Sequence, residues 1–267
     1  MSTWTKTKPR HLQIIRDAES EEELPRRLHV TANSKTGVSV DFPVHATCRP
    51  TRVCMGEGKD SAPCYALVGF MTYGNTVRCH ARNQRLVDYL ASAPYSEVIR
   101  VADDLWHQLP RGRDWLRWNG AGDLTTGACR LINTFTRRHG DVLLWITSRK
   151  AEMVALIKDR ASVFLTLSID KSTPAKAGTR LREQAARFVK GQAKLSYTRV
   201  AAYDEPPNDA WVVFNKHVAG QRNGWEHPRV CPATLPDVSH ENACDHCRHC
   251  FGGIERSKFH DRVPSKA

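Results

Sequence analysis

The chain has 267 residues, 40% hydrophobic and 25% charged, which is the ordinary composition of a globular protein and leaves room for one large α/β domain or two smaller ones. No run of about 18 apolar residues occurs, which excludes a membrane-spanning helix, and the start, MSTWTKTKPRHLQ, has no apolar core of a secretory signal. Lys and Arg number 40 against 28 Asp and Glu, a net charge of +12, so the field favours polyanions and makes DNA or RNA an expected partner; solubility alone is the plainer account of the same charge.

In chain order, residues 1–35 are polar and charge-mixed and read as a short helix or a loose N-terminal arm. Residues 37–42 alternate as a strand should. Helical spacing continues over 62–91, with a break near Gly74-Asn75, and again over 96–108. A short strand at 116–119 runs into Gly120-Ala121-Gly122, and 125–139 is helical. Next come a buried-type strand at 141–147, a helix at 150–159, a strand at 162–168 and a basic helix at 178–193. Two apolar strands, 195–203 and 210–216, complete the series. Strands alternating with helices imply a parallel sheet with crossover helices. Six such strands suit an α/β fold of the partial (β/α)6 barrel type over 36–218, with a Cys-rich extension over 219–267.

In such a fold, active groups gather at the C-terminal strand ends. Five polar clusters close apolar runs there: 119–123, 147–149, 168–170, 203–204 and 215–217. Helix capping accounts for any one of them. All five at the same topological end point to a site.

With no leader and no membrane span, the chain is expected in a reducing cytoplasm, where clustered cysteines favour metal over disulfides. The tail carries Cys231-Pro232 and, 13 positions on, Cys244, Cys247 and Cys250. Four such thiolates can wrap a [4Fe–4S] cubane. Zinc is the alternative, because Cys and His both serve it and His246 and His249 lie nearby. A second group, Cys48, Cys54 and Cys64, comes after the first strand on a Gly- and Pro-containing loop. Three thiolates can hold three irons of a cluster and leave the fourth open to a small molecule, as catalytic metal sites keep an open position. Incidental buried thiols are the other reading. Cys79 reads as core with a minor chance of being a fourth ligand, and Cys129, mid-helix among Leu131, Ile132 and Phe135, reads as packing.

Taken together, Cys48…Cys54…Cys64-Tyr65-Ala66, the Asn119-Gly120-Ala121-Gly122-Asp123 segment, Thr147-Ser148-Arg149 and the Cys231/Cys244/Cys247/Cys250 tail resemble the phage-type gene product 88 family over roughly residues 36–252. These are proteins of phages and other mobile elements. More distantly, the layout resembles the radical S-adenosylmethionine (SAM) enzymes, although the gaps of five and nine residues between the first three cysteines are wider than that family's usual loop. The resemblance implies a SAM-binding cluster on Cys48, Cys54 and Cys64 and an auxiliary cluster on the tail. It also implies that Asn119, Gly120, Gly122 and Asp123 lie near the methionine moiety, with Ser148, Arg149, Ser168 and Asp170 toward ribose and carboxylate. The densest basic stretch, Arg180, Arg182, Arg187, Lys190 and Lys194, is the candidate nucleic-acid face; a solvated helix surface is its simpler reading. A binding protein that uses clusters or zinc only for stability is the non-enzymatic alternative.

Overall fold

The structure, a computed structural model, describes residues 9–33, 37–55, 64, 66, 73–189, 191–216, 227–231, 234 and 243–250. In chain order its elements are α1 (Pro9–Glu19), β1 (Val30–Asn33), β2 (Gly37–Val40), α2 (Val44–Thr47), α3 (Arg52–Met55), α4 (Gly74–Leu90), α5 (Tyr95–His107) and β3 (Trp115–Trp118). They continue as α6 (Thr126–Arg138), β4 (Leu143–Ser148), α7 (Ala151–Val154), β5 (Val163–Asp170), α8 (Ala175–Ala185), β6 (Ala193–Arg199), β7 (Val212–Asn215) and α9 (Ala243–Cys247).

The fold is mixed α/β, built on a seven-stranded sheet in the order β1-β2-β3-β4-β5-β6-β7. β1 is antiparallel to β2, and every later pairing is parallel. The order never reverses, so each crossover carries the chain one strand further in the same direction. Right-handed crossovers then put the helices on one face of the sheet.

Side chains alternate across a strand, and the two faces have different chemistry. Leu116 and Trp118, Leu144 and Ile146, Leu165, Leu167 and Ile169, and Leu195 and Tyr197 join Val101, Leu105, Leu131 and Phe135 of the helices in the main core. The opposite, inner face carries Arg117, Trp145, Thr147, Thr166, Ser168, Asp170, Lys194, Ser196 and Thr198 at the intervening positions. The helix layer packs tightly: a Cβ on Gly127 of α6 would lie 1.7 Å from the Val87 carbonyl oxygen of α4.

Three elements differ from the sequence reading. The stretch read as a short helix or a loose arm contains the helix α1 and is joined to the sheet through β1, which pairs Val30 with Val40, and Leu28 beside it is fully buried. α1 packs Ile15 and Ala18 on Val77 and Ala81 of α4. The basic helix stops at Ala185, and Gly191 adopts φ +93, a left-handed turn that feeds β6 and places Lys194 on a strand. The helix expected over 150–159 is the single turn α7. That expected over 62–91 is seen from Gly74 onward; most of 61–72 lies outside the described residues.

Asn83, on α4, ties the N-terminal segment to the sheet. Its Oδ1 accepts from the His29 N–H at 2.6 Å, and its Nδ2 donates to the carbonyls of His29 (2.9 Å) and Asp41 (3.0 Å). Asn83→Ala is expected to cost about 2–4 kcal/mol, because truncation leaves buried backbone groups unpaired; urea unfolding reads it as a lower midpoint at unchanged slope. Burial pushes the neighbouring His80 below its ordinary 6.5, with the Asp41 charge opposing in part. The unfolded chain therefore binds a proton at His80 that the folded chain refuses, and stability falls as pH drops below 6.5. His80→Gln should flatten that acid-side loss, measured by urea midpoints above and below pH 6.5.

Candidate metal centres

The first cysteine group lies at the C-terminal strand ends. Cys48 caps α2, its N–H bonded to the Val44 carbonyl at 3.0 Å, and Cys54 sits in α3. Cys48 and Cys64 pack about Val44, Ala66 and Ala121. β5 fixes this loop through Asp170. Asp170 Oδ2 accepts from Thr51 Oγ at 2.6 Å, and Thr51 Oγ accepts from the Cys54 N–H at 3.2 Å. Asp170 Oδ1 accepts from the Ser172 hydroxyl at 2.8 Å, and that hydroxyl accepts from the Val53 N–H at 3.1 Å. Lys216, just past β7, donates to the Val53 carbonyl.

The charges here are arranged for an anionic group. Burial pushes the Cys48 thiol up, and Asp123, Cys64 and Cys54 push it further. Burial likewise raises Cys64, against the Ala66 N–H and the cations Lys216 and Arg149. Burial lowers Lys216 while Cys54 and Cys64 hold its charge. Burial raises Asp170, but Arg149, at 2.7 Å, with Thr51 and Ser172 outweighs it, so the carboxyl ends below its ordinary range. The three thiols thus lie within electrostatic reach of one another and of two half-buried cations, Arg149 and Lys216.

The glycine segment after β3 forms one wall. Asn119 adopts φ 62, a left-handed conformation that Asn tolerates, and donates through Nδ2 to the Thr147 carbonyl at 3.0 Å. Asp41, in the loop after β2, accepts from the Ala121 N–H at 2.7 Å, and a Cβ on Gly120 would sit 2.4 Å from its Oδ1. Gly122 has φ 82 and meets Phe42 and Thr47. Asp123, raised by burial, accepts from Ser148 Oγ (2.6 Å), the Leu124 N–H (2.7 Å) and the Arg149 N–H (3.2 Å). Asp123 and Ser148 are thus engaged with each other and lock two loops together, while Ser168 shares a 3.0 Å hydroxyl contact with Ser196.

The second group closes the opposite end of the inner face. Cys231 is strapped to β7 by its N–H to the Val213 carbonyl at 2.7 Å. Cys244 and Cys250 pack on Trp115 and Trp145 at the strand starts, and Cys247 and Cys250 pack beside Val212 and Cys231. Arg248, at φ 48, makes a two-pronged pair with Asp114 just before β3, at 2.7 and 2.6 Å. Burial pushes the Cys250 thiol well up, and Cys231, Cys247 and Cys244 add to the shift against Lys194. Lys194 donates to the His249 carbonyl at 2.6 Å and lies 4.9 Å from the Trp211 ring centroid, and His249 stacks on Trp211. β5 alone, eight residues, separates the two ends by about 23 Å.

Several candidate residues fall elsewhere. Lys194 is 5% exposed and belongs to the second cysteine group, which corrects its assignment to a basic helix surface. Arg182 is paired with Asp209, Arg187 bonds the Ala155 carbonyl and Gln184, and Arg180 is exposed; Lys190 lies outside the described residues. Cys79 is half-buried on α4, with Arg82 and Arg78 as the charges that act on it. Cys129 is buried in the core, its thiol donating to the Met153 carbonyl. Asp41, Thr51 and the aromatic floor of Trp115, Trp145 and Trp211 were not singled out by spacing, since nothing local marks a carboxylate or Trp as facing another segment.

Among the described residues, no three or more His, Cys, Asp and Glu side chains converge as ligands of one ion. A cubane asks for less: each thiolate takes its own iron, so the sulfurs stand further apart than ligands on a single zinc. The donor chemistry fits a metal group. Several buried thiols do not ionise together unaided, and a bound metal supplies the positive charge that deprotonates them.

Sheet and sites define a mixed α/β protein whose parallel sheet carries a cysteine group at each end of one face. The chain matches the gene product 88 family over residues 7–253 and belongs to it. No curated protein and no solved structure matches the chain. No helix among the described residues is long and apolar enough to cross a membrane.

Gly122→Ala is expected to lower stability by about 2 kcal/mol or more, since it adds a contact of 2.8 Å to Phe42 and Thr47 on top of a left-handed φ. Gly191→Ala, with the same backbone sign and nothing within 4 Å, should cost less. Parallel urea titrations of the two variants compare the losses.

Proposed function

We infer that the protein is an iron–sulfur protein with a [4Fe–4S] cluster on each cysteine group, acting in the manner of a radical SAM enzyme. The observation that carries this reading is the proximity of Cys48, Cys54 and Cys64, whose charges act on one another, to Arg149 and Lys216 at the C-terminal ends of parallel strands. Three thiolates without a fourth leave one iron for an exchangeable ligand such as SAM. Six parallel strands in sequential order are also the arrangement a partial (β/α)6 barrel uses.

Such a cluster, when bound, supplies the electron for reductive cleavage of SAM, while the protein orients and seals the reactants. Asp170, Thr51 and Ser172 hold the cysteine loop, and Arg149 and Lys216 offset the negative charge that three thiolates bring. Gly120 and Gly122 let the segment pack against Asp41, Phe42 and Thr47, where a Cβ would intrude, and so fix this wall of the site. At the other end, Trp115 and Trp145 with the cysteine tail form a floor that keeps water from the inner face. Cys231, Cys244, Cys247 and Cys250 would complete the ligation of the second cluster, which serves as a structural or auxiliary group. The net charge of +12 leaves DNA or RNA as a candidate substrate or carrier of one.

Anaerobic reconstitution is expected to give about eight irons per chain, since each cubane holds four. Replacing Cys48, Cys54 and Cys64 together by Ala should halve that count. Reduced protein given SAM should show a perturbed EPR signal and release 5′-deoxyadenosine. Zinc in place of iron would overturn the reading. Two clusters without any response to SAM would leave the enzyme part overturned and the cluster part standing. Chelating the second centre should expose the segment from 227 onward to limited proteolysis, because metal binding there is folding energy.

A further inference from the structure

We propose that the inner face of the sheet, between the two cysteine groups, binds a small molecule bearing an oxyanion, carboxylate or phosphate, with Arg117 as its cationic contact. Arg117 is half-buried on β3, and its register neighbours are Ser39 on β2 and Trp145 on β4. Among the described residues no carboxylate pairs with it. The guanidinium lies over the Trp145 ring, 4.7 Å from the centroid, and its Nε is buried without a hydrogen-bond partner. The Asp41 carboxylate, on the adjoining strand's loop, is committed to Thr31, Ser39 and the Ala121 N–H.

A cation held in this way is costly. The ring recovers part of the desolvation cost, and the unmade hydrogen bond forfeits a comparable amount. An incoming anion repays both, and a planar guanidinium fits an oxyanion in two-pronged fashion. The ring beneath is itself fixed, because Trp145 Nε1 donates to Thr166 Oγ at 2.7 Å.

One residue further along the inner face, two more polar atoms are buried without partners: Asn119 Oδ1 and Thr147 Oγ. Asn119 is 2% exposed and pinned through its amide nitrogen, so its oxygen can only accept. A ligand reaching from Arg117 toward the first cysteine group therefore meets a cation first, and then the Asn119 acceptor with the Thr147 hydroxyl beside it. That order selects a molecule with an anionic end and an N–H or O–H donor beyond it. The proposal concerns the sheet alone and holds whichever metal the cysteines take.

The test monitors indole N–H signals of the ¹⁵N-Trp-labelled full chain, with Trp145 assigned through Trp145→Phe, during titration with inorganic phosphate and, separately, acetate. Saturable movement of the Trp145 signal is expected with at least one anion, and the one that binds tighter identifies the oxyanion. Arg117→Met, which keeps the stem on the ring but removes the charge, should weaken that binding at least tenfold. Arg117→Lys should keep part of it and guards against misfolding of the Met variant, as does the dispersion of the other indole signals. Lys158→Met, at an exposed position beside the helix layer, should leave the curve unchanged. An unmoved Trp145 signal with both anions, or equal curves for the native chain and Arg117→Met, overturns the proposal.

Discussion

Thiols gathered in a dry interior repel one another as soon as they ionise, and that constraint organises this molecule. Each cysteine group has cations beside it: the half-buried Arg149 and Lys216 at one end of the sheet, the buried Lys194 at the other. Burying such cations is itself unfavourable. Negative charge held nearby offsets that cost: Asp170 supplies it to Arg149, and thiolates on a bound metal would supply it at both groups. Segments without long regular structure, the loop around Cys54 and the tail from Cys231, are held in place by this arrangement and by a few directed bonds to strand ends.

The sheet supplies the geometry. Because the strands run in sequential order and in parallel from β2 onward, all their C-terminal ends lie on one edge and all their starts on the other. One face is aliphatic and covered by helices; the other carries hydroxyls, Arg117 and Lys194. The first cysteine group closes the polar face at one end, and the aromatic floor with the tail closes it at the other. The space between is where the uncommitted polar atoms lie.

Polar residues at the strand ends divide into two kinds. Asp41, Asp123, Ser148 and Asp170 have their hydrogen-bonding capacity largely filled by neighbouring loops, so they position backbone. Asn119, Thr147 and Arg117 retain unfilled capacity and are the ones suited to meet a ligand. Residues of the second kind are few, as expected where any unfilled buried group carries a cost.

The sequence by itself determined the α/β alternation, the six strands from 37 onward that the structure makes parallel, and the two cysteine groups, because period-two apolar runs and close Cys spacing are local signals. It also marked the polar ends of β3, β4 and β5, whereas the 203–204 pair lies past β6, which ends at Arg199. Tertiary structure alone decided that β1 joins the sheet, since a four-residue strand after a charge-mixed helix has no pattern of its own. It alone turned Lys194 from a surface charge into a buried companion of Cys250, because the helix stops at Ala185 and one left-handed glycine at 191 turns the chain into β6. And it alone separated Asp123 and Ser148, already bonded to each other, from Arg117 and Asn119, which are not. Which hydrogen bonds a residue completes depends on segments distant in the chain, and spacing along the sequence carries no record of them.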